Sequence, residues 1–201
     1  MAITMQDVRV WLDPDEPNYA GAARSLGPAA LPLLLELVRG GDLGLASKAT
    51  SLASRIQSDK SVEVLAAAAA TTEPILRVAA AGALHYLKPA HAERLLTALK
   101  TDPDPGVRKV MVKSAAQVKS PRAATLLKQM SAADPEPFVR EKAMGVLAAV
   151  AASDARSKSS KKGAARTTAV KKVTAKKGIT KKVVARRGSA KSAKAKGARK
   201  K

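Results

Sequence analysis

One five-residue pattern recurs three times in this chain, in the segments Glu73–Arg77, Asp104–Arg108 and Glu136–Arg140. In each segment an acid is followed by proline, then by two residues of which the second is apolar, then by arginine. Successive segments begin 31 and 32 residues apart. A fixed spacing of this length is typical of small helical units that stack on their neighbours. The chain is therefore predicted to contain a row of similar units.

Each copy of the pattern has the properties of a helix start. The acid can accept hydrogen bonds from the free amides of the first turn, and proline at the first helical position loses no useful donor. An arginine four residues after the acid can fold back and pair with it. The predicted pairs are Arg77 with Glu73, Arg108 with Asp104, and Arg140 with Glu136. The alternative is a row of arginines that attracts phosphates, but the fixed four-residue offset favours the structural pairing.

Two apolar stripes repeat with the same period, and each has the spacing of one helix face. The stripe of the first helix in each unit consists of Leu45, Ala49, Ala53, Ile56, Leu76, Ala80, Leu84, Leu87, Val107, Met111, Ala115, Val118, Val139, Ala143, Leu147 and Val150. The stripe of the second helix consists of Leu33, Leu34, Leu37, Val64, Leu65, Ala68, Leu95, Leu96, Leu99, Leu126, Leu127 and Met130. Two stripes with one period predict an all-α fold, an α-solenoid of stacked antiparallel helix pairs.

The acid-Pro-x-x-Arg start, the alanine-rich first helix and the Leu-Leu second helix resemble HEAT-type repeats, in particular the short bacterial units. The resemblance covers about residues 17–152 and implies a solenoid of about four to five units with a period of about 31. It implies little about activity, because proteins of this kind include scaffolds, cofactor-attaching enzymes, hydroxylases and nucleic-acid binders.

Charge divides the chain into two regions, residues 1–152 and residues 153–201. The first holds 18 basic and 15 acidic residues and has a net charge of +3, whereas the second holds 19 basic residues and one acid and has a net charge of +18. The second region lacks aromatic residues, and its five-residue beat of paired cations matches neither a helix nor a strand. We therefore predict a HEAT-like solenoid over 1–152 and a disordered, Lys/Ala-rich basic tail over 153–201.

The tail carries the strongest functional indication in the sequence. It resembles the Lys/Ala-rich tails of linker histones and of some bacterial nucleoid proteins, and paired cations suit a phosphate backbone regardless of base sequence. The predicted nucleic-acid-binding residues are Lys161, Lys162, Arg166, Lys171, Lys172, Lys176, Lys177, Lys181, Lys182, Arg186, Arg187, Lys191, Lys194, Lys196, Arg199, Lys200 and Lys201. The alternatives are a tail that only keeps the protein soluble, or one that contacts RNA, acidic proteins or membrane surfaces. The membrane is disfavoured because the tail has no apolar face.

The first 152 residues show no catalytic constellation. His85 and His91 stand without a ligand cluster, so the sequence predicts neither a metal site nor a cofactor. Four aromatic side chains, Trp11, Tyr19, Tyr86 and Phe138, are scattered along the sequence, which therefore indicates no aromatic-lined cleft with an acid of the kind that HEAT-like DNA glycosylases use. The predicted role of Trp11 is to cover the open end of the solenoid core. An enzyme and a small-molecule substrate are therefore not expected.

These features predict a non-enzymatic, DNA-associated adaptor. Its tail would bind DNA, and its solenoid would bind an unknown protein or add DNA contacts through Lys109, Lys113, Lys119, Arg122 and Lys128. The alternative is a protein-interaction scaffold whose tail contacts acidic proteins or RNA. The chain has no cysteine and no apolar run long enough for a membrane span, so we expect a cytoplasmic protein, nucleoid-associated if bacterial.

Overall fold

Proline residues stand at the starts of several helices in this chain. In the computed structural model, which describes residues 2–153 and 156, Pro74, Pro89, Pro105 and Pro121 each occupy the first position of an α-helix. The fixed φ of proline suits that position, and the missing amide proton would have had no partner there. The proline pattern of the sequence therefore marks the helix starts correctly.

The described residues form α-helices joined by short loops. Their bounds are α1 Met5–Leu12, α2 Tyr19–Leu26, α3 Leu31–Arg39, α4 Leu43–Arg55, α5 Ser61–Ala69, α6 Pro74–Ala83, α7 Pro89–Leu99, α8 Pro105–Ala115 and α9 Pro121–Ala133. Residues 137–153 are also helical and are called α10 below. Short 3-10 turns at Gly27–Ala30 and Leu84–Tyr86 follow α2 and α6. The fold is all-α, as predicted.

The helices alternate between two layers. The first helices of successive units pack on one another, α2 on α4, α4 on α6 and α6 on α8. The second helices do the same, α3 on α5, α5 on α7 and α7 on α9. Each second helix also packs on the first helix of the next unit, as α3 does on α4 and α5 on α6. The predicted stack of helix pairs is therefore confirmed.

The core lies between the two layers and contains most residues of the two predicted stripes. Five predicted residues are only partly buried: Leu33, Leu45, Leu87, Leu147 and Val150. Leu76, Val107 and Met111 of the first-helix stripe are buried, and so are Leu65 and Leu96 of the second-helix stripe. Alanine at many first-helix positions lets neighbouring backbones approach closely. Burial of these stripes holds each helix in place, because helices of this length are marginal alone in water.

The two ends of the stack differ from its middle. At the N-terminal end, α1 packs on α2, α3 and α4, with Val8 and Leu12 fully buried and Trp11 packed against the core. At the other end, Met144 of α10 is 52% exposed, although the corresponding Val112 of α8 is 0% exposed. Among the described residues, the final helix thus leaves exposed a position that is buried one unit earlier.

Helix caps follow the predicted scheme only in part. The Asp104 carboxylate accepts hydrogen bonds from the amides of Gly106 and Val107, at 2.6 and 3.3 Å. Glu73 occupies the same position before α6 but makes no capping hydrogen bond with its side chain. A longer side chain in the same place therefore leaves these amides without that partner.

This difference gives a matched test of the capping interaction. Asp104→Ala is expected to lower the free energy of unfolding by about 1 kcal/mol, because two amides of the first turn lose their acceptor. Glu73→Ala should change it less. Urea unfolding of the full chain measures both. Equal losses in the two variants would contradict the assignment.

Candidate functional site

Two buried ion pairs each connect the first helix of a unit to the loop that follows its second helix. Arg77, in the first turn of α6, donates from Nε and Nη2 to Oδ2 and Oδ1 of Asp102, at 2.8 and 3.2 Å. Arg108 of α8 makes the same contacts with Asp134, at 2.9 and 3.0 Å. In each case the carboxylate follows the second helix of the same unit, so the pair closes the open end of one helix pair.

The predicted partners of these arginines were wrong. Neither Arg77 nor Arg108 pairs with the acid four residues before it. The reason is visible at α8, where the Asp104 carboxylate is occupied in capping the helix amides. Asp102 lies two residues before that cap, and its Oδ1 also accepts a hydrogen bond from the Asp104 amide. That bond holds Asp102 where the arginine of the preceding first helix reaches it.

The guanidinium groups also bind the backbone of their own loops. Nη1 of Arg77 donates to the carbonyls of Thr71 and Thr72. Nη1 of Arg108 donates to those of Asp102 and Pro103. These two arginines are therefore structural, and neither is available to phosphates.

Arg140 stands at the equivalent position of α10 and differs from the other two. Its Nη1 donates to the carbonyls of Asp134 and Pro135, as Arg108 does one unit earlier. No acid pairs with it among the described residues, so its predicted pairing with Glu136 was also wrong. Arg140 thus makes the same kind of backbone contacts as Arg77 and Arg108, but no aspartate binds it among the described residues.

The ion pair at Asp134 changes the titration of both partners. The hydrogen bond to Asp134 raises the pKa of Arg108. Burial by itself would raise the pKa of Asp134, but the hydrogen bonds from Arg108 and from the Glu136 amide outweigh burial and lower it. Both groups are therefore charged at neutral pH.

A cavity of about 400 Å³ opens beside this pair. Its walls include Asp102, Arg108 and Asp134, together with Met130 and Lys100. The arginine and the two aspartates are already bound in ion pairs, so Lys100 is the lining residue whose charge has no ion pair among the described residues. The Arg108–Asp134 pair joins the two helices of its unit.

A different surface, on the layer of first helices, combines aromatic, apolar and cationic groups. It is a groove of about 300 Å³ between α2, α4 and α6. Its lining residues are Tyr19, Ser47, Ser51, Ser54, Arg55, Ile75, Val78, Ala79, Gly82, Ala83 and Tyr86. Serine, alanine and glycine on the facing sides of α4 and α6 leave the space open, because larger side chains would fill it. We call this surface the first-helix groove.

Arg55 and Tyr86 form the polar centre of the first-helix groove. The Arg55 guanidinium carbon lies 3.6 Å from the centre of the Tyr86 ring, and its Nη2 donates to the tyrosine hydroxyl. A second cavity, of about 550 Å³, adjoins these two residues and reaches Arg24 and Pro28. Tyr19 on the opposite wall is partly buried, and this burial raises the pKa of its hydroxyl. The groove is therefore positive, with two tyrosines in its walls.

The groove brings together two aromatic residues that are scattered in the sequence. Tyr19 and Tyr86 are far apart in sequence, yet stacking of α2, α4 and α6 brings both into the lining of one groove. Trp11 packs against the core instead, and Phe138 lies under Lys109, whose Nζ is 5.6 Å from the ring centre. No carboxylate lines the groove within the described part of the chain, so it lacks an acid that could act on a bound substrate.

The histidines lie apart from each other. His85 packs against Tyr86, and its pKa is lowered by burial and by the nearby charges of Arg55 and Lys113. His91 lies 4.0 Å from Asp59, an exposed carboxylate that is bound by Lys88. Across residues 2–153, no group of three or more histidine, aspartate or glutamate side chains is arranged to hold a metal ion.

The basic surface residues predicted from the sequence do not all lie on one layer of the fold. Lys109 and Lys113 are exposed on α8, Arg122 and Lys128 are exposed on α9, and Lys119 lies in the loop between these helices. The first pair therefore belongs to the layer of first helices and the second pair to the other layer. The predicted nucleic-acid-binding residues of the tail, Lys161 to Lys201, lie outside the described residues.

Comparisons with known proteins agree with this architecture. Residues 65–148 match the family model of HEAT repeats. A search among curated proteins finds no match to this chain. None of the helices that the structure describes is both long enough and apolar enough to cross a membrane.

The matched segment begins in α5 and includes α6 to α9 and most of α10, and with them both buried ion pairs. Repeats of this kind typically form non-catalytic scaffolds that bind other proteins. The helix pairs within residues 65–148 are thus similar to HEAT repeats.

Proposed function

We propose that this protein is a non-catalytic scaffold and that the first-helix groove binds a partner protein. The observation that carries the proposal is the position of Arg55 against Tyr86, opposite Tyr19, in an open groove. Tyrosine and arginine are enriched among the residues that contribute most to protein–protein binding. Their rigid or planar groups also lose little entropy on binding.

The chemistry of the groove indicates the kind of partner segment. Ile75, which is 52% exposed, and Val78 offer an apolar wall, while Arg55 offers a positive charge. A partner segment with an apolar side chain and a neighbouring carboxylate fits this combination. The small residues of α4 and α6 allow that side chain to approach the helix backbones closely.

A charge introduced at Ile75 tests the groove. We expect Ile75→Glu to weaken partner binding about 30-fold or more, because it places a charge in the apolar wall and neutralises the attraction of Arg55. The position is exposed and lies in the first turn of α6, so the helix should remain folded. The matched control is Thr97→Glu, an exposed position on α7 in the other layer.

The measurement compares proteins retained by immobilised full-length wild type, Ile75→Glu and Thr97→Glu, followed by titration of the purified partner. The proposal expects at least one protein that wild type and Thr97→Glu retain and that Ile75→Glu loses. Retention of the same proteins by all three chains contradicts it. Circular dichroism of each variant checks that the helices remain.

A second candidate function is nucleic-acid binding by the basic tail. It is supported by the net charge of +18 over residues 153–201, which suits contact with phosphates without sequence preference. In this proposal the protein carries a partner to DNA in the cytoplasm or nucleoid, and RNA is an alternative ligand. Affinity for duplex DNA across a salt series tests it, as developed in the Discussion.

A further inference from the structure

Arg140 is the last of three arginines at equivalent positions, and it has no carboxylate partner among the described residues. Arg77 and Arg108 each bind an aspartate through Nε and Nη2, whereas Arg140 has no carboxylate on that edge among the described residues. Its Nη1 still donates to the Asp134 and Pro135 carbonyls. The guanidinium is therefore held as in the other units, with its carboxylate-binding edge unoccupied.

In the other units that the structure describes, the arginine and its aspartate are either both present or both absent. The position equivalent to Arg77 in the preceding unit is Ala46, and the position equivalent to Asp102 is Thr71. This unit therefore lacks both partners. Arg140 departs from this rule because it keeps the donor without an acceptor.

At the sequence offset where the other two units have their aspartate, no acid follows Arg140. The aspartates that bind Arg77 and Arg108 lie 25 and 26 residues after them, and the corresponding positions after Arg140 are Ala165 and Arg166. The only acid after Glu141 is Asp154.

The face of α10 around this donor is apolar and only partly covered. Met144 is 52% exposed, while its counterparts Thr50, Ala81 and Val112 are each 0% exposed. In the middle units this position faces the next unit. The described part of the stack therefore ends in an incomplete unit, which has a first helix and no second helix among the described residues.

The N-terminal end has acidic side chains without a basic partner among the described residues. There α1 precedes the first helix α2, as a second helix does in the middle units, and the loop between them is Asp13-Pro14-Asp15-Glu16-Pro17. This loop resembles Asp102-Pro103-Asp104-Pro105, which supplies the acceptor for Arg77. Its carboxylates are exposed, and none forms a salt bridge with a described residue.

The contacts of this loop leave the acids available. Lys48 of α4 donates only to the backbone carbonyls of Leu12 and Pro14. On α1 itself, Val10 is 58% exposed. One end of the molecule thus presents acids beside an apolar side chain, and the other presents an arginine beside an apolar face.

We propose that the two ends bind each other in head-to-tail association of copies of this chain. In this arrangement α1 of a second copy lies on α10 in the place of the missing second helix, and an acid of its 13–17 loop binds Arg140. The chain's own basic tail is a poor occupant, because it would bring positive charge to an arginine. Contacts between unlike ends do not close on themselves, so the expected assembly is an open series. This inference does not depend on the first-helix groove.

Sedimentation equilibrium of the full chain at moderate salt, from about 10 to 500 µM, tests the proposal. The wild-type average mass should rise with concentration beyond that of a dimer. Two variants each block one end: Arg140→Glu, and the triple variant Asp13→Lys, Asp15→Lys, Glu16→Lys. Each should associate at least tenfold more weakly than wild type, because like charges then face each other.

Mixing the two variants distinguishes this arrangement from any symmetric dimer. Each variant carries two ends of like charge, so an equal mixture should associate again into an alternating series longer than a dimer, because every contact then joins unlike charges. A chain that carries all four substitutions should associate again, because the charges are exchanged. A wild type that stays monomeric at 500 µM overturns the proposal. So does a mass that stops at two chains, or association that neither variant weakens.

Discussion

Asp134→Ala is expected to lower the free energy of unfolding of the full chain by about 3–5 kcal/mol. Removing this carboxylate leaves the Arg108 guanidinium buried without its counter-charge, with its side chain only 7% exposed. The Glu136 amide also loses the acceptor that starts the next helix. Native domains are stable by only about 5–15 kcal/mol, so this loss is a large share of the total.

Urea unfolding followed by circular dichroism measures the effect. Asp59→Ala is the matched control, because Asp59 binds Lys88 at 2.7 Å but both side chains are more than half exposed. Solvent screens that pair, and the midpoint should barely move. A similar loss of stability in both variants would show that burial of the Arg108–Asp134 pair does not determine its contribution.

The same pair predicts how stability depends on pH. The folded-state pKa of Asp134 lies below its usual value, because hydrogen bonds from Arg108 and the Glu136 amide outweigh its burial. The stabilisation is therefore present above the unfolded pKa of about 3.9 and is lost as pH falls through the folded value. Wild type should lose this contribution below about pH 4, whereas Asp134→Asn should lack that part of the decline.

Replacing six lysines of the tail by glutamine is expected to weaken binding to duplex DNA by about 10⁴-fold at 0.15 M salt. The estimate assumes that each lysine neutralises one phosphate, which contributes about −0.9 to the slope of log affinity against log salt. The residues replaced are Lys171, Lys172, Lys176, Lys177, Lys181 and Lys182. The slope itself should become less steep by about 5.

The control for the tail is Lys109→Gln with Lys113→Gln, which removes two exposed cations of the solenoid instead. Fluorescence anisotropy with a labelled duplex, from low to moderate salt, measures all three chains. A small change in the tail variant and a large change in the solenoid variant would place the DNA contacts on the repeats. No binding by wild type would exclude duplex DNA as the ligand, and single-stranded RNA is the next probe.

The helices and the core were predictable from the sequence because they depend on local pattern. Proline fixes the helix starts, and the stripes that contain Leu76 and Leu96 show which faces are buried. The period also indicates which helices are neighbours. The helix starts and the apolar stripes recur in each unit, so the sequence gives several independent indications of each.

The contacts of the side chains were harder to predict because they join residues far apart in sequence. Arg77 selects Asp102 rather than Glu73, since the loop after α7 brings that carboxylate to the start of α6. Tyr19 and Tyr86 meet in one groove only because α2, α4 and α6 stack. Periodicity gives the order of the helices but not the direction in which each side chain leaves its helix. The proposed role of the tail remains a prediction from charge.

The most direct test of the scaffold is a photo-crosslinking amino acid placed in the first-helix groove of the full chain. Ser51 on α4 is suited to it because it lines the groove and is partly exposed. Thr97 on α7 is the control position in the other layer. The account predicts that light produces a covalent adduct with a partner protein from position 51 and not from position 97. Adducts from position 97 alone, or equal adducts from both, would contradict the assignment of the groove as the binding surface.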